Sequence, residues 1–257
     1  MRRLARGGFG LMGVVLVLPL AFSQEEEVTP GAKDSPDLPQ VEKRIFTGTN
    51  EFRAKEDRKA LKTNDKLHEA AAYFAGYLAQ HDKLSHTADG KEPWERAAKY
   101  GYEYCIVLEN IAYELNSAGF TTQQLADDFV NGWKKSPGHR KNMLDPDVTE
   151  IGVAVAPSAT AGKYYAVQLF GRPKSDAIVF KVTNQSGAKV SYTVDDKPQT
   201  IEPRFTITHT VCRPPRLALQ LSAEDKKQAA DKVLRPANGD HYVIRNDKAG
   251  VLTVEKQ

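Results

Sequence analysis

At 257 residues the chain is long enough for one medium domain and a smaller one, each with its own core. It carries 36 Lys and Arg against 33 Asp and Glu, and three of the arginines fall in residues 1–23, which hold no acid, so the remainder balances at 33 against 33. No basic field is left to bind nucleic acid or anionic lipid, and those partner classes are set aside.

Arg2, Arg3 and Arg6 precede an apolar run from Leu11 to Phe22 that ends in Ala21-Phe22-Ser23. A basic start, a short apolar stretch and small residues at a cleavage point read as a secretory signal peptide over 1–23. The run is shorter than the roughly 20 residues that a membrane span needs, and no second candidate span follows. The expected place of work is therefore outside the cytoplasm: secreted, periplasmic or in the cell envelope. Residues 24–42 combine Glu25-Glu26-Glu27 with Pro30, Pro36 and Pro39, a composition that buries little and reads as a disordered spacer.

From about Val41 the pattern turns helical. Leu67, Ala70, Ala71, Phe74 and Leu78 repeat at helical spacing, residues 94–100 make a shorter helix closed by Gly101, and residues 121–135 make a third. In the third, Thr121 with Gln124 supplies a capping signal and Leu125, Ala126, Phe129, Val130 and Trp133 form the apolar stripe. Strand-like runs at 104–113, 151–156 and 164–170 alternate with these helices, as a layered α+β domain over 43–173 requires. After Gly171-Arg172-Pro173 the period changes to two. Short alternating runs at 178–182, 190–194, 205–211, 217–221, 241–245 and 251–254, with turn residues between them, predict a small all-β module over 174–257.

Of six histidines, two stand in suggestive places. His86 lies in the polar loop LSHTADG, and His139 follows Ser136-Pro137-Gly138, where proline and glycine end the third helix. His68 and His81 read as helix-surface residues, and His209 and His241 as ordinary strand residues. Glu109 interrupts the apolar strand CIVLENIAYE; it is either a buried carboxylate that needs a partner or a solvent-facing strand residue. Ser136 could pair with His139 as a nucleophile, but there is no nucleophile elbow, and a serine bonding backbone at a helix break is the simpler reading. Cys105 and Cys212 either close one disulfide or remain two buried thiols.

The segments TNEFR, LSHTADG, LENIAYE, WKKSPGHRKNML, EIGVAVAP and YYAVQLFGRP, taken in order, resemble the CAP superfamily, and within it the bacterial secreted branch. That superfamily includes cysteine-rich secretory proteins, antigen-type venom allergens and plant pathogenesis-related proteins. The resemblance covers about residues 43–173 and implies a three-layer α-β-α sandwich. It also implies a cleft holding two histidines and two acids, the histidines able to take zinc or a similar divalent ion. Carried over by position, the histidines are His86 and His139 and the first acid is Glu109. The second acid is replaced by Ser136, and Leu108 stands where a glycine is usual, so any metal should be held weakly. Glu109 could supply a third ligand or hold a water. The resemblance implies a binding protein for a lipid, a glycan or another protein. A metal-dependent hydrolase or peptidase is the alternative, and a structural or adhesive envelope protein is a third reading.

Overall fold

A computed structural model describes residues 35–219 and 232–257 of the chain. The signal segment 1–23 lies outside them, as does most of the expected spacer. Helix α1 spans Leu38–Lys55; Asp37 caps it by accepting the Gln40 N–H at 3.1 Å, with proline in the first turn. The spacer and the domain boundary expected at 43 are thereby corrected: the helix already begins at Leu38. Pro39 is an N-terminal helix residue here, not loop punctuation.

Strand β1 is the two-residue Lys62–Thr63 and leads into α2, Asp65–His81, whose cap Asn64 accepts the N–H groups of Lys66 and Leu67. Then follow α3 (Pro93–Lys99), β2 (Tyr104–Leu115), α4 (Thr122–Lys135), α5 (Pro137–Met143), β3 (Glu150–Pro157) and β4 (Lys163–Pro173). The strands form one sheet in the order β1-β3-β4-β2, so the long strand β2 is an edge.

Period-two alternation divides this sheet between two cores. Ile151, Val153, Val155, Ala166 and Phe170 face one way, onto Val41 and Ile45 of α1 and Leu125, Phe129 and Trp133 of α4. Ala154, Tyr165, Val167 and Leu169 face the other way, onto Leu67, Ala70, Phe74 and Leu78 of α2. Every residue of the stripe expected in α2 is fully buried. The result is the α-β-α sandwich.

One 3-10 turn, Lys174–Asp176, leads into the β-rich module. Its strands are β5 (Ile178–Asn184), β6 (Val190–Val194), β7 (Lys197–Ile201), β8 (Thr206–Val211), β9 (Leu217–Leu219), β10 (Lys232–Leu234), β11 (His241–Asn246) and β12 (Leu252–Lys256). They make two sheets, β10-β9-β6-β7 and β12-β11-β5-β8, that share a core of Phe180, Val182, Tyr192, Leu217, Ile244 and their neighbours. Sequence periodicity does not reveal β7. Its Pro198 reads as a breaker, yet β7 is an edge strand, where a missing N–H is tolerated. Cys105 and Cys212 are bonded, joining β2 to the end of β8. Beside that bond Arg213 reaches Asp145 at 2.9 Å and Asp147 at 2.6 Å.

Candidate functional site

The site builds up from the edge strand β2, whose alternation sends Glu109 and Asn110 to opposite faces of the sheet. Glu109 faces the layer of α2 and α3, and its side chain is 1% exposed. A carboxylate cannot be buried there without partners. Arg96, from α3, supplies one: Nη2 donates to Glu109 Oε2 at 2.7 Å. The same guanidinium donates to Asp89 Oδ1 at 2.9 Å, the Lys91 carbonyl at 2.7 Å and the His86 carbonyl at 2.9 Å, and it lies 3.5 Å over the Phe74 ring. Arg96 is itself fully buried. One side chain thus fixes both the loop that carries His86 and the carboxylate beneath it.

The other Glu109 oxygen, Oε1, lies 2.7 Å from His86 Nδ1. With an arginine on Oε2, Glu109 acts as a carboxylate acceptor, so the proton in this contact belongs to Nδ1 and the lone pair of the neutral ring to Nε2. About half of the His86 side chain is open to solvent. Both oxygens of Glu109 are engaged, Oε1 by His86 and Oε2 by Arg96.

The opposite wall comes from α4 and α5. Ser136 is the last cap of α4 and the first of α5: its N–H donates to the Gly132 carbonyl at 3.2 Å and its carbonyl accepts the Arg140 N–H at 2.8 Å. Pro137, in the first turn, starts α5 where the missing N–H costs nothing. The helix therefore breaks only to restart in a new direction, and His139 sits in the first turn of α5, not in a loop. Ser136 Oγ makes no cap bond, and among the described residues no hydrogen bond joins it to His139. Its structural work is done by the backbone alone, and the nucleophile reading has no geometric support.

Two asparagines hold α5 to β2. Asn110, fully buried, donates to the His139 carbonyl and to Gln168 Oε1, both at 3.2 Å. Asn142 donates to the Glu109 carbonyl at 3.1 Å and to Asn110 Oδ1 at 3.0 Å. Gln168 continues the chain of bonds to Thr49 of α1 at 2.8 Å. Burial lowers the basicity of His139, and a proton on the nearby His86 lowers it further when that ring is charged. The His139 ring therefore favours its neutral form, the one with a lone pair to offer. Among the described residues no group of three or more His, Cys, Asp or Glu side chains is arranged to hold a metal ion.

At the far edge of the sheet a cavity of about 440 Å³ opens between α1 and α2, lined in part by Glu42, Phe46, His68, Ile151 and Val153. There His68 Nδ1 bonds the Val153 carbonyl at 2.8 Å and Glu42 accepts the Val155 N–H at 2.9 Å, closing the exposed side of β3. His81 bonds its own helix at Tyr77, His209 bonds Tyr192, and His241 bonds Thr183, so none of these joins the cleft.

Residues 46–170 match the model of the cysteine-rich secretory protein family, CAP. The chain carries a CAP domain. It is 27% identical over 153 residues to the uncharacterized protein YkwD of Bacillus subtilis, a match covering 59% of this chain and 54% of that one. It is 26% identical over 108 residues to an uncharacterized protein of Borreliella burgdorferi, covering 42% of this chain and 64% of that one. The chain thus spans between about half and two thirds of the length of these curated relatives. Among solved structures, an outer surface protein of Borrelia burgdorferi aligns at 25% identity and a TM-score of 0.46, over 52% of this chain and 94% of that one.

Sequence reasoning about the CAP domain misses Arg96, Asp89, Asn110 and Asn142. Arg96 sits in PWERAAK, where an arginine among charged neighbours reads as a solvated helix face. The signal that could have found it is the need of Glu109 for a cation, since a carboxylate in an apolar strand implies one.

Proposed function

We propose that this CAP-domain protein binds its ligand at the β2 edge through His86 and His139, with a weakly held divalent cation such as zinc between the two imidazoles. The protein works outside the cytoplasm or in the cell envelope. The family is a secretory one, and a disulfide persists in an oxidising compartment. No helix among the described residues is long and apolar enough to cross a membrane.

The observation that carries the reading is the Glu109–His86 contact at 2.7 Å with Arg96 on the other oxygen. A carboxylate on the far nitrogen of an imidazole is the usual support of a metal-binding histidine. The local charge favours a cation too, since Asp89 and Glu109 share the single guanidinium of Arg96 and leave one negative charge beside His86. Two neutral imidazoles suit zinc, and water would complete its coordination. A metal bound there would supply a Lewis-acidic contact for an anionic or carbonyl group of a ligand.

Hydrolysis is the weaker reading, because catalytic zinc sites ordinarily use three protein ligands and Glu109 is committed elsewhere. Lipid, glycan and protein ligands are all compatible with the pair of an exposed His86 and a half-buried His139. The test is calorimetric titration of the metal-free protein with zinc. Wild type should bind, and His86→Ala and His139→Ala should each lose binding while unfolding at nearly the wild-type temperature. Equal affinity in wild type and in the double variant would remove the site.

A further inference from the structure

The contacts of Arg96 carry a more specific conclusion than burial of a charge. A guanidinium only donates, and an amide side chain has one accepting end and one donating end. Glu109 can serve Arg96 and His86 together because both ends of a carboxylate accept. Its Oε2 takes Arg96 Nη2 and its Oε1 takes His86 Nδ1, each at 2.7 Å.

We propose that Arg96 is the positioning residue of the cleft, fixing the accepting polarity of Glu109 and thereby selecting the His86 tautomer that leaves Nε2 free to bind. Arg96 does not touch the ligand; it acts through Glu109 and through the His86 main chain. Its Nη2 also holds the His86 carbonyl, and its Nη1 holds Asp89 Oδ1 and the Lys91 carbonyl, so the loop cannot move independently of the carboxylate. Its side chain is 0% exposed, so solvent does not compete for the fork. The inference rests on the cleft reading above only where it concerns zinc.

A consequence separates this role from a merely structural one. In Glu109→Gln the buried Arg96 still demands an acceptor, so the amide oxygen must turn to Arg96 and the amide NH₂ to His86. His86 Nδ1 then becomes an acceptor, its proton moves to Nε2, and the nitrogen that should bind is blocked. A shape-preserving substitution one residue away from the cation would invert the imidazole without removing it.

The experiment is long-range proton–nitrogen NMR of the histidine rings in the metal-free, full-length protein above the titration range of imidazole. Wild-type His86 should be in the Nδ1–H form, and Glu109→Gln should convert it to the Nε2–H form. The His68 ring, which donates from Nδ1 to the Val153 carbonyl at the other edge of the sheet, should keep its signals and so report an intact fold. Arg96→Lys keeps the charge but cannot reproduce the fork, and zinc affinity should fall about 10- to 100-fold, the range for losing a group that orients a metal ligand. Finding wild-type His86 in the Nε2–H form, or Glu109→Gln still in the Nδ1–H form, would overturn the proposal. A wild type with the expected tautomer that binds no zinc would instead sink the metal reading and leave the role of Arg96 intact.

Discussion

Cys105 is bonded to Cys212, 107 residues further along, with Cα atoms 5.3 Å apart. The bond ties the edge strand that carries Glu109 to the end of a strand in the β module. A loop of that length loses much of its unfolded-state freedom on closure, worth about 4–5 kcal/mol in the chain-entropy account. Full reduction, checked by thiol titration, should therefore lower the midpoint of thermal unfolding by roughly 10 °C or more. An unchanged midpoint in the fully reduced protein would contradict that.

A chain ending at Asp176 should fold without the β module once Cys105 is replaced by serine. Both CAP cores are built from residues before Pro173, and among the described residues the one apolar side chain from beyond it that packs against either is Cys212, beside the Arg213 ion pairs with Asp145 and Asp147. Cooperative unfolding of the shortened chain in calorimetry is the expected result. A chain that is unfolded at 25 °C would mean that the two modules form one cooperative unit.

His139 gives a pH dependence of known sign. Burial, and repulsion from His86 once that ring is protonated, hold its basicity below the usual value of 6.5, so the unfolded chain takes up the proton more readily than the folded one. Its contribution to stability is present above about pH 6.5 and is lost as the pH falls through the folded value. Denaturant unfolding between pH 7.5 and 4.5 should show this acid-side loss, and His139→Asn should flatten it. His209 is shifted the same way by burial and remains in the variant, so flattening should be partial. A variant whose acid limb matches wild type would show that His139 has no part in it.

Gly152 faces the backbone of α2, and a Cβ there would collide with the main chain at Leu67 and His68. Main-chain atoms of a helix cannot yield as a flexible side chain can. Gly152→Ala should therefore destabilise the domain by about 1–3 kcal/mol through separation of helix and sheet. The check is urea unfolding, with His68 signals expected to shift because its helix is displaced. Unchanged stability would mean that α2 can lift off the sheet at little cost.

How far the fold can be read from sequence differs by element for identifiable reasons. The α2 and α4 stripes are legible because Leu67 to Leu78 and Leu125 to Trp133 each bury one helical face against a sheet. The start of α1 is hidden because Asp37 and Pro39, which cap and open the helix, belong to the same residue types that mark a linker. Helix α5 is hidden because Ser136-Pro137-Gly138 signals a stop, while the same proline also starts a helix. His86, His139 and Glu109 are legible as exceptions to their surroundings, a histidine in a small-residue loop and an acid in an apolar strand. Arg96 is not legible, because its role depends on α3 packing back over Phe74, which no local pattern records.

β2 is the last strand of its sheet, and the two histidines flank it from opposite helical layers, His86 held by Arg96 and His139 by Asn110. On the proposed reading a ligand between them would bear on both layers like a calliper. His86 moves with the layer of α2 and α3, His139 with that of α1 and α4. A ligand that touches both rings clamps the layers together at their open end. By mass action, such a ligand at 100 times its Kd would raise the stability of the whole domain by about 2.7 kcal/mol. Thermal shift then becomes a way to screen for the natural ligand without knowing its chemistry.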